Sequence, residues 1–334
     1  MAAEAPAADG VRAAVAEATG QDPGEVSMTP IPGGASRETW LVEGDAGRWV
    51  LRRDPPGGQS FTLLEVEYGV VEAAARSGVP VARPLLFDST GGRFETAGFL
   101  MEHVEGESVA PRVLRRNQYA EARHKLVGQL GDALARIHAI EVGDLEGIAR
   151  PQADPALAAC DLWEAELDAI GEALPATEAG LRWLRLNAPP PPARVTLVHG
   201  DFRLGNFIVS EQGLAAVIDW ELCHLGDPAE DIGWICIRSW RFGNDDKQVG
   251  GLGDLDELLA AYEAAGGTPP DPNRLRWWEA MGNLKWAVIC ARQAQDHLTG
   301  RRRSAELASL GRRICEPEWD LLELVAASRG PRPA

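Results

Sequence analysis

Residues 195–234 read VTLVHGDFRLGNFIVSEQGLAAVIDWELCHLGDPAEDIGW, and this stretch decides the fold. The apolar run Val195–Val198 predicts a buried strand, because a short apolar run that ends in turn residues is typical of one. Phe207–Val209 and Ala215–Ile218 predict a hairpin, since a polar turn separates these two apolar runs. These elements end at three polar side chains, namely Asp201, Asn206 and Asp219. A strand followed by a hairpin is therefore predicted to present two carboxylates and one amide.

The three side chains suit the transfer of a phosphoryl group. This reaction depends on positioning and charge neutralisation, and Mg²⁺ takes oxygen ligands that include carboxylates and phosphate oxygens. Asn206 and Asp219 offer such oxygens, and Asp201 would orient an acceptor hydroxyl and take its proton. Taken singly, each of these three residues would favour a structural role in a turn or at a strand end. Together they match the order of the kinase catalytic loop and its later metal-binding Asp, which favours catalysis.

The pattern H-G-D-x-x-x-x-N, followed by I-D-W-E and G-D-P-x-x-D, resembles the aminoglycoside phosphotransferase family. Relatives in that family include small-molecule kinases for choline, homoserine and fructosamines. Within it, the segments V-L-R-R-D-P-P and W-E-L…G-D-P-A-E-D…G-W are most similar to kinase-like domains fused to certain acyl-CoA dehydrogenases. The resemblance covers the chain from about Met28 to Leu298. It implies an α+β, bilobal, protein-kinase-like fold with a small antiparallel β lobe that carries one helix, a larger and mostly α-helical lobe, and a nucleotide between them.

The predicted elements divide the chain into three parts. Residues 1–24 predict a helix that packs on the small lobe. Residues 25–103 predict five short strands and one helix, which form the nucleotide-binding lobe. Residues 104–330 predict the helical lobe for catalysis and acceptor binding, and its last helix is predicted as one segment over Ala305–Ala327.

Gly33 and Gly34 lie in a predicted strand–turn–strand segment. Bare backbone there could approach a phosphate closely, although a two-glycine turn is also typical of a plain hairpin. The kinase pattern G-x-G-x-x-G is absent from this segment. Ser36 could donate its hydroxyl to a phosphate or stabilise the turn. All three residues are candidate nucleotide contacts.

The third predicted strand carries an arginine where kinases place a lysine that pairs with a glutamate. Arg52 is predicted to point inward together with Val50. Its guanidinium stays charged and can bind phosphate oxygens through two parallel hydrogen bonds. Glu67 on the following helix is the predicted partner, with Glu65 in reserve. The alternative is that Arg52 and Glu67 are surface ions.

The resemblance also implies an adenine-binding linker after the last strand of the small lobe. In the family this linker offers main-chain groups to the base, a role that falls on Glu102 and Val104 in this chain. Met101 would then form a wall of the base pocket. A buried strand end would explain the same residues.

Arg203 is the second candidate catalytic residue, because its guanidinium could stabilise charge at the γ-phosphate. His199 is predicted to hold the loop. Glu221 would either support the metal site or face solvent, and Asp227 and Asp231 are predicted to be structural residues at a helix start. The tryptophans of the helical lobe are predicted to be mostly core or to line an acceptor pocket: Trp234, Trp240, Trp277, Trp278 and Trp286.

Composition excludes several classes of protein. The 334 residues include 33 Lys and Arg against 50 Asp and Glu, a net charge of −17, which opposes binding to nucleic acid. Five cysteines without a C-x-x-C pair predict free thiols in a reducing compartment. No signal peptide or membrane-spanning run is evident. We therefore expect a cytoplasmic monomer or homodimer without nucleic acid or membrane partners.

The resulting prediction is a phosphotransferase that uses ATP, or GTP, and Mg²⁺ to phosphorylate a hydroxyl of a small molecule. A hydroxyacyl compound or another metabolite ranks above an aminoglycoside as the acceptor, because the closer resemblance is to the domains fused to dehydrogenases. An antibiotic phosphotransferase remains an alternative within the same chemistry. The competing class is a non-catalytic, pseudokinase-like module that binds nucleotide, which the change from lysine to Arg52 would suit.

Overall fold

The computed structural model describes residues 5–31, 37–55, 63–143, 145, 147–151 and 154–327. These described residues fall into two compact units. The first unit draws on Met1–Ala122, Ala139–Ala149 and Gly205–His224, and the second on Arg123–His138, Arg150–Leu204 and Leu225–Ala334. Each unit is made of several separate segments of the chain, so the division reflects how the chain packs. The domain borders predicted at residues 24 and 103 stay a prediction.

Helices and strands follow the predicted order closely. The strands are β1 (Ser27–Pro30), β2 (Glu38–Gly44), β3 (Gly47–Arg53), β4 (Pro84–Asp88), β5 (Gly98–Glu102), β6 (Thr196–Val198), β7 (Phe207–Ser210), β8 (Gly213–Val217) and β9 (His224–Gly226). The helices are α1 (Ala8–Thr19), α2 (Leu64–Arg76), α3 (Ala110–Arg115), α4 (Ala120–Ala139), α5 (Pro155–Ile170), α6 (Pro175–Leu186), α7 (Ala229–Cys236), α8 (Leu255–Ala264), α9 (Pro272–Leu298), α10 (Ala305–Gly311) and α11 (Cys315–Ala327). Short 3₁₀ turns cover Asn117–Tyr119 and Arg238–Trp240.

The first unit is built on an antiparallel sheet, which within the described residues has the order β1-β2-β3-β5-β4. Helix α1 packs through Val11 and Val15 on a face that includes Trp40, Leu51 and Leu100. Side chains of a strand alternate between the two faces, so Arg52 points away from Leu51 and meets α2 at Glu67. The predicted β-rich part with one following helix is confirmed, and Arg52 is buried on its α2 face.

The hairpin β7–β8 is fixed to the first unit by backbone hydrogen bonds. Glu107 and Val209 exchange two such bonds of 2.9 and 3.0 Å, and the N–H of Val217 donates to Pro80 O at 2.8 Å. Phe207 and Val209 point into the core and are fully buried. The hairpin therefore holds the residues that flank it, Asn206 and Asp219, in a defined position within this unit.

The second unit is helical and centres on α9. Asp271 caps this helix by accepting hydrogen bonds from the N–H groups of Asn273 and Arg274, and Pro272 takes its first position. The core around α9 contains Cys160, Leu181, Leu184, Trp277, Trp278, Met281, Leu284 and Leu321. Trp277 and Trp278 are thus core residues, as predicted for most tryptophans of this part. Strand β6 pairs with β9, which was not predicted.

The prediction of one continuous helix over residues 305–327 is wrong. The structure has α10 and α11 there, separated by a turn at residues 312–314. Pro317 explains the break, because its ring clashes with a helical carbonyl four residues earlier and it lacks an N–H. Among the described helices, none combines the length and apolarity that crossing a membrane requires.

Candidate active site

The loop after β6 belongs to the second unit and carries Asp201. Gly200 has a φ of 79°, a left-handed conformation that favours glycine and turns the chain sharply before Asp201. The carboxylate oxygen Oδ1 of Asp201 accepts hydrogen bonds from Arg203 Nε at 3.0 Å and from Trp234 Nε1 at 2.8 Å. The side chain keeps 14% of its surface exposed. Asp201 is therefore held in one orientation through Oδ1.

Two buried charges hold the backbone of this loop. Asp231, which is fully buried, accepts hydrogen bonds from the N–H groups of His199 and Gly200 at 2.8 and 2.9 Å. Lys285 donates from Nζ to the carbonyl oxygen of Gly200 at 2.5 Å. The sequence indicated a structural role for Asp231 but did not reveal its contact with the loop, and it gave no role to Lys285.

Asp231 is also part of a buried polar network. Its Oδ2 lies 3.2 Å from His138 Nε2, and His138 Nδ1 lies 2.8 Å from the hydroxyl of Tyr262. Burial alone would raise the pKa of Asp231, but hydrogen bonds from His138 and the His199 amide keep this pKa below its usual value. The ionised carboxylate is therefore the form that supports the loop.

Arg203 has two contacts within the second unit. Its Nε donates to Asp201, and its guanidinium carbon lies 4.5 Å from the ring centroid of Trp240. Such a cation–π contact fixes the plane of the guanidinium. In this structure Arg203 orients the predicted base.

In the first unit, Arg52 joins three carboxylates. Its Nε lies 2.9 Å from Glu67 Oε1, and its Nη2 lies 2.7 Å from Asp219 Oδ1 and 3.3 Å from Glu221 Oε2. The predicted pairing of Arg52 with Glu67 is therefore present in the structure. Glu221 lies on Arg52 and not in bulk solvent, since its side chain is only 13% exposed.

A second arginine, Arg37, supports this group and was not identified from the sequence. It forms an ion pair with Glu67 and a hydrogen bond of 3.1 Å from Nε to Asp54 Oδ1. Burial, followed by the neighbouring Arg52, lowers the pKa of Arg37, whereas Asp54 opposes the shift. Glu67 is 2% exposed and thus meets two guanidinium groups away from water.

Asn206 and Asp219 lie at the two ends of the β7–β8 hairpin. The N–H of Ile218 donates to the carbonyl oxygen of Asn206 at 2.9 Å, which brings the two ends together. Asp219 has a φ of 68°, an uncommon backbone conformation that Asp tolerates better than most residues. Within the described part of the chain, no cluster of three His, Cys, Asp or Glu side chains forms a metal centre. One carboxylate and one amide oxygen fit Mg²⁺, which completes its shell with phosphate oxygens and water.

The remaining predicted nucleotide contacts have different outcomes. Gly33, Gly34 and Ser36 lie outside the described residues. Met101 pairs with Val50 across the sheet and is partly exposed. The N–H of Glu102 donates to Arg83 O at 2.9 Å, so this N–H is not available to a base. Val104 follows β5 and is partly exposed.

The mixed α+β fold, with its antiparallel sheet and many helices, is that of kinase-like phosphotransferases. A putative aminoglycoside phosphotransferase from Ralstonia eutropha shares it with a TM-score of 0.75 and 22% identity, covering 95% of this chain and 98% of that one. Spectinomycin phosphotransferase, solved with ADP and spectinomycin, has a TM-score of 0.62 and 15% identity, covering 96% and 98%.

The chain belongs to the phosphotransferase enzyme family, whose model matches residues 27–278. Acyl-CoA dehydrogenase family member 10 of Mus musculus is 28% identical over 316 residues, which are 89% of this chain and 29% of the relative. The chain thus spans less than a third of the length of this relative. Both resemblances that the motifs indicated are confirmed.

Proposed function

We propose that the protein transfers the γ-phosphate of ATP to a hydroxyl group of a small molecule, with Mg²⁺ as cofactor. One observation carries this proposal: Arg52 contacts both Glu67 and Asp219 within the first unit. A buried guanidinium held by a glutamate suits a phosphate anchor. Its second carboxylate, Asp219, suits a metal that also binds phosphate. The contacts therefore support a site for a metal–triphosphate complex.

Each residue of the first unit has a role in this proposal. Arg52 binds phosphate oxygens, and Glu67 and Arg37 keep its guanidinium in place. Asn206 and Asp219 hold Mg²⁺, which when bound neutralises charge on the phosphates. Glu221 stays on Arg52 and limits the directions in which that side chain can move.

Asp201 accepts the proton of the attacking hydroxyl in this proposal. Its contacts with Arg203 and Trp234 both involve Oδ1. We assign the carboxylate that these contacts orient to the acceptor hydroxyl. Arg203 contributes positive charge next to the reacting groups when phosphate is present.

A hydroxyacyl compound is the acceptor that we favour. The name of acyl-CoA dehydrogenase family member 10 indicates acyl thioesters as substrates of that relative. This chain matches 29% of the length of the relative. A kinase that accompanies such an enzyme would encounter hydroxylated acyl groups. An aminoglycoside or another antibiotic is the alternative acceptor, since a spectinomycin phosphotransferase shares the fold.

A binding assay followed by a transfer assay tests the function. The melting temperature should rise with ATP only when Mg²⁺ is present, and the rise should be smaller for Asp219→Asn. ATP consumption should then depend on one class among hydroxy acids, hydroxyacyl thioesters, choline and spectinomycin. Glu211→Gln is a suitable control, because Glu211 lies in the exposed turn between β7 and β8.

The competing function is a nucleotide-binding module without catalysis. The exchange of the usual kinase lysine for Arg52 is the feature that would suit this module. Stabilisation by ATP that is independent of Mg²⁺, with no transfer to any acceptor, would support the module and contradict the kinase.

A further inference from the structure

A buried lysine of α9, Lys285, lies next to the loop that carries Asp201. Only 4% of Lys285 is exposed, although lysine is one of the residue types that are least often buried. Moving an ammonium group out of water is costly unless neighbouring groups compensate the charge. The neighbours of Lys285 therefore indicate what its charge stabilises.

The contacts of the Lys285 ammonium group lead to the loop and to α7. Its Nζ donates to the carbonyl oxygen of Gly200 at 2.5 Å and lies 3.5 Å from Glu230 Oε1. It also lies 4.5 Å from the ring centroid of Trp234, a cation–π contact, and 5.8 Å from that of Trp163. A hydrogen bond, an ion pair and aromatic faces thus compensate the buried charge.

Two of these contacts connect Lys285 to Asp201. The carbonyl group of Gly200 belongs to the planar peptide unit that also contains the Asp201 nitrogen, so the hydrogen bond from Lys285 holds this unit. Trp234, which is 2% exposed, donates its indole N–H to Asp201 Oδ1 at 2.8 Å. Lys285 therefore contacts both the main chain before Asp201 and the ring that holds its carboxylate.

The orientation of the Trp234 ring matters for the direction of its N–H. An ammonium group over the face of an indole is attracted to the ring, so the contact with Lys285 restrains the ring plane. A hydrogen bond to a carboxylate is strong but depends on its geometry. Catalytic groups must be held within about 0.5 Å of their productive positions by such supporting residues.

We infer that Lys285 is a positioning residue for the transfer of phosphate, and that it acts on Asp201 through Gly200 and Trp234. Its loss would misplace the Asp201 carboxylate and would leave the binding of MgATP unchanged. The inference rests on the proposed phosphotransferase function and adds two residues, Lys285 and Trp234, to the group that sets its rate. A purely structural lysine would affect stability alone.

The substitution Lys285→Met tests the inference, because it removes the charge and keeps a flexible side chain. We expect kcat to fall about 10- to 100-fold, since a small misplacement of a catalytic group can cost that much. The KM for MgATP should stay unchanged. Lys125→Met is the matched control, because Lys125 is exposed on α4, and it should behave as the wild type. An unchanged kcat in Lys285→Met would overturn the inference.

A pair of tryptophan variants tests the second contact. Trp234→Phe removes the indole N–H and keeps an aromatic ring next to Lys285. Trp277→Phe is the matched control, because this tryptophan is also 2% exposed and its N–H donates to Leu184 O at 3.0 Å. Only Trp234→Phe should lower kcat. Equal kcat values in the two variants would overturn the role of Trp234.

The background of Asp201→Asn separates positioning from a general effect on the structure. Residues that act as a unit have non-additive effects, so adding Lys285→Met to Asp201→Asn should lower kcat by less than about twofold. A further loss as large as in the wild-type background would show that Lys285 does not act through Asp201, and would overturn the inference.

Hydrogen exchange tests the contact without any need for turnover. The peptide that spans residues 199–206 should exchange faster in Lys285→Met than in the wild type or Lys125→Met, because the loop loses a donor. Unchanged exchange would overturn the inference. Absence of transfer by the wild type to hydroxy acids, hydroxyacyl thioesters, choline and spectinomycin would instead contradict the proposed function itself.

Discussion

Arg52 is the residue on which the charges of the first unit converge. Its side chain is 11% exposed and contacts Glu67, Asp219 and Glu221. The planar guanidinium lets Nε meet Glu67 while Nη2 meets Asp219 and Glu221, which the single ammonium of a lysine does less well. The exchange of the usual kinase lysine for Arg52 therefore gives a more extensively connected anchor.

The substitution Arg52→Met tests this network. It keeps most of the side-chain volume but leaves Glu67, which is 2% exposed, with Arg37 as its one charged partner among the residues that the structure describes. We expect the free energy of unfolding to fall by about 3 kcal/mol, because removing one partner of a buried ion pair is costly. Urea denaturation measures it. The control Arg12→Ala removes an exposed pair with Asp22 and should change stability little. Equal losses in both variants would contradict the role of Arg52.

At the scale of elements, α7 and α9 shape the loop after β6. Asp231 of α7 holds the N–H groups of His199 and Gly200, and Lys285 of α9 holds the carbonyl of Gly200. The loop is thus fixed by two packed helices and not by its own residues alone. This explains how an irregular segment can present Asp201 in one orientation.

The role of Asp231 predicts a pH dependence of stability. Its pKa is lowered in the folded state, so its contribution is fully present above the unfolded value near pH 4 and is lost as pH falls through the folded pKa. The difference in unfolding free energy between the wild type and Asp231→Asn should therefore be constant from pH 7 to 5 and shrink below about pH 4. Urea unfolding at several pH values measures it. A difference that grows on acidification would contradict the assignment.

The contact between α7 and α9 requires a glycine. A methyl group at Gly233 would lie 2.7 Å from the backbone carbonyl carbon of Trp278, whereas one at Gly128 of α4 would meet no atom within 4 Å. Gly233→Ala should therefore destabilise the protein by about 1–3 kcal/mol through overpacking. Gly128→Ala should stabilise it by about 0.4–1 kcal/mol. Thermal unfolding of both variants measures the contrast, and similar melting temperatures would contradict this packing.

Local patterns in the sequence predicted the elements around Asp201, Asn206 and Asp219, because those residues follow short apolar runs. Lys285 was missed because its partner Gly200 is 85 residues away, although a lysine inside the apolar part of α9 was a usable signal. Arg37 was missed for a similar reason. The break before α11 could have been predicted from Pro317. Contacts between remote residues were beyond pattern analysis because spacing along the chain does not encode them.

At the scale of the whole molecule, the five cysteines are free thiols. Four of them are buried, and Cys315 is exposed. Burial raises the pKa of Cys160 to about 11 and that of Cys290 to about 12, so these thiols stay protonated near neutral pH. The core therefore protects most thiols from reaction.

Thiol labelling tests this distribution. At pH 8, the native protein should react with a thiol reagent such as dithionitrobenzoate mainly at one site, and Cys315→Ser should remove that reaction. All five thiols should react in denaturant. Rapid labelling of several thiols in the native state would contradict the burial of the four remaining cysteines.

Transfer of phosphate by the wild type and by Asp201→Asn tests the central claim most directly. The variant should bind MgATP as tightly as the wild type and lose about 10²- to 10⁴-fold in kcat, because the amide cannot take the proton of the acceptor. Both values come from calorimetric titration and from the rate of phosphorylated product formation. A variant that retains full turnover would contradict the assignment of Asp201 as the catalytic base.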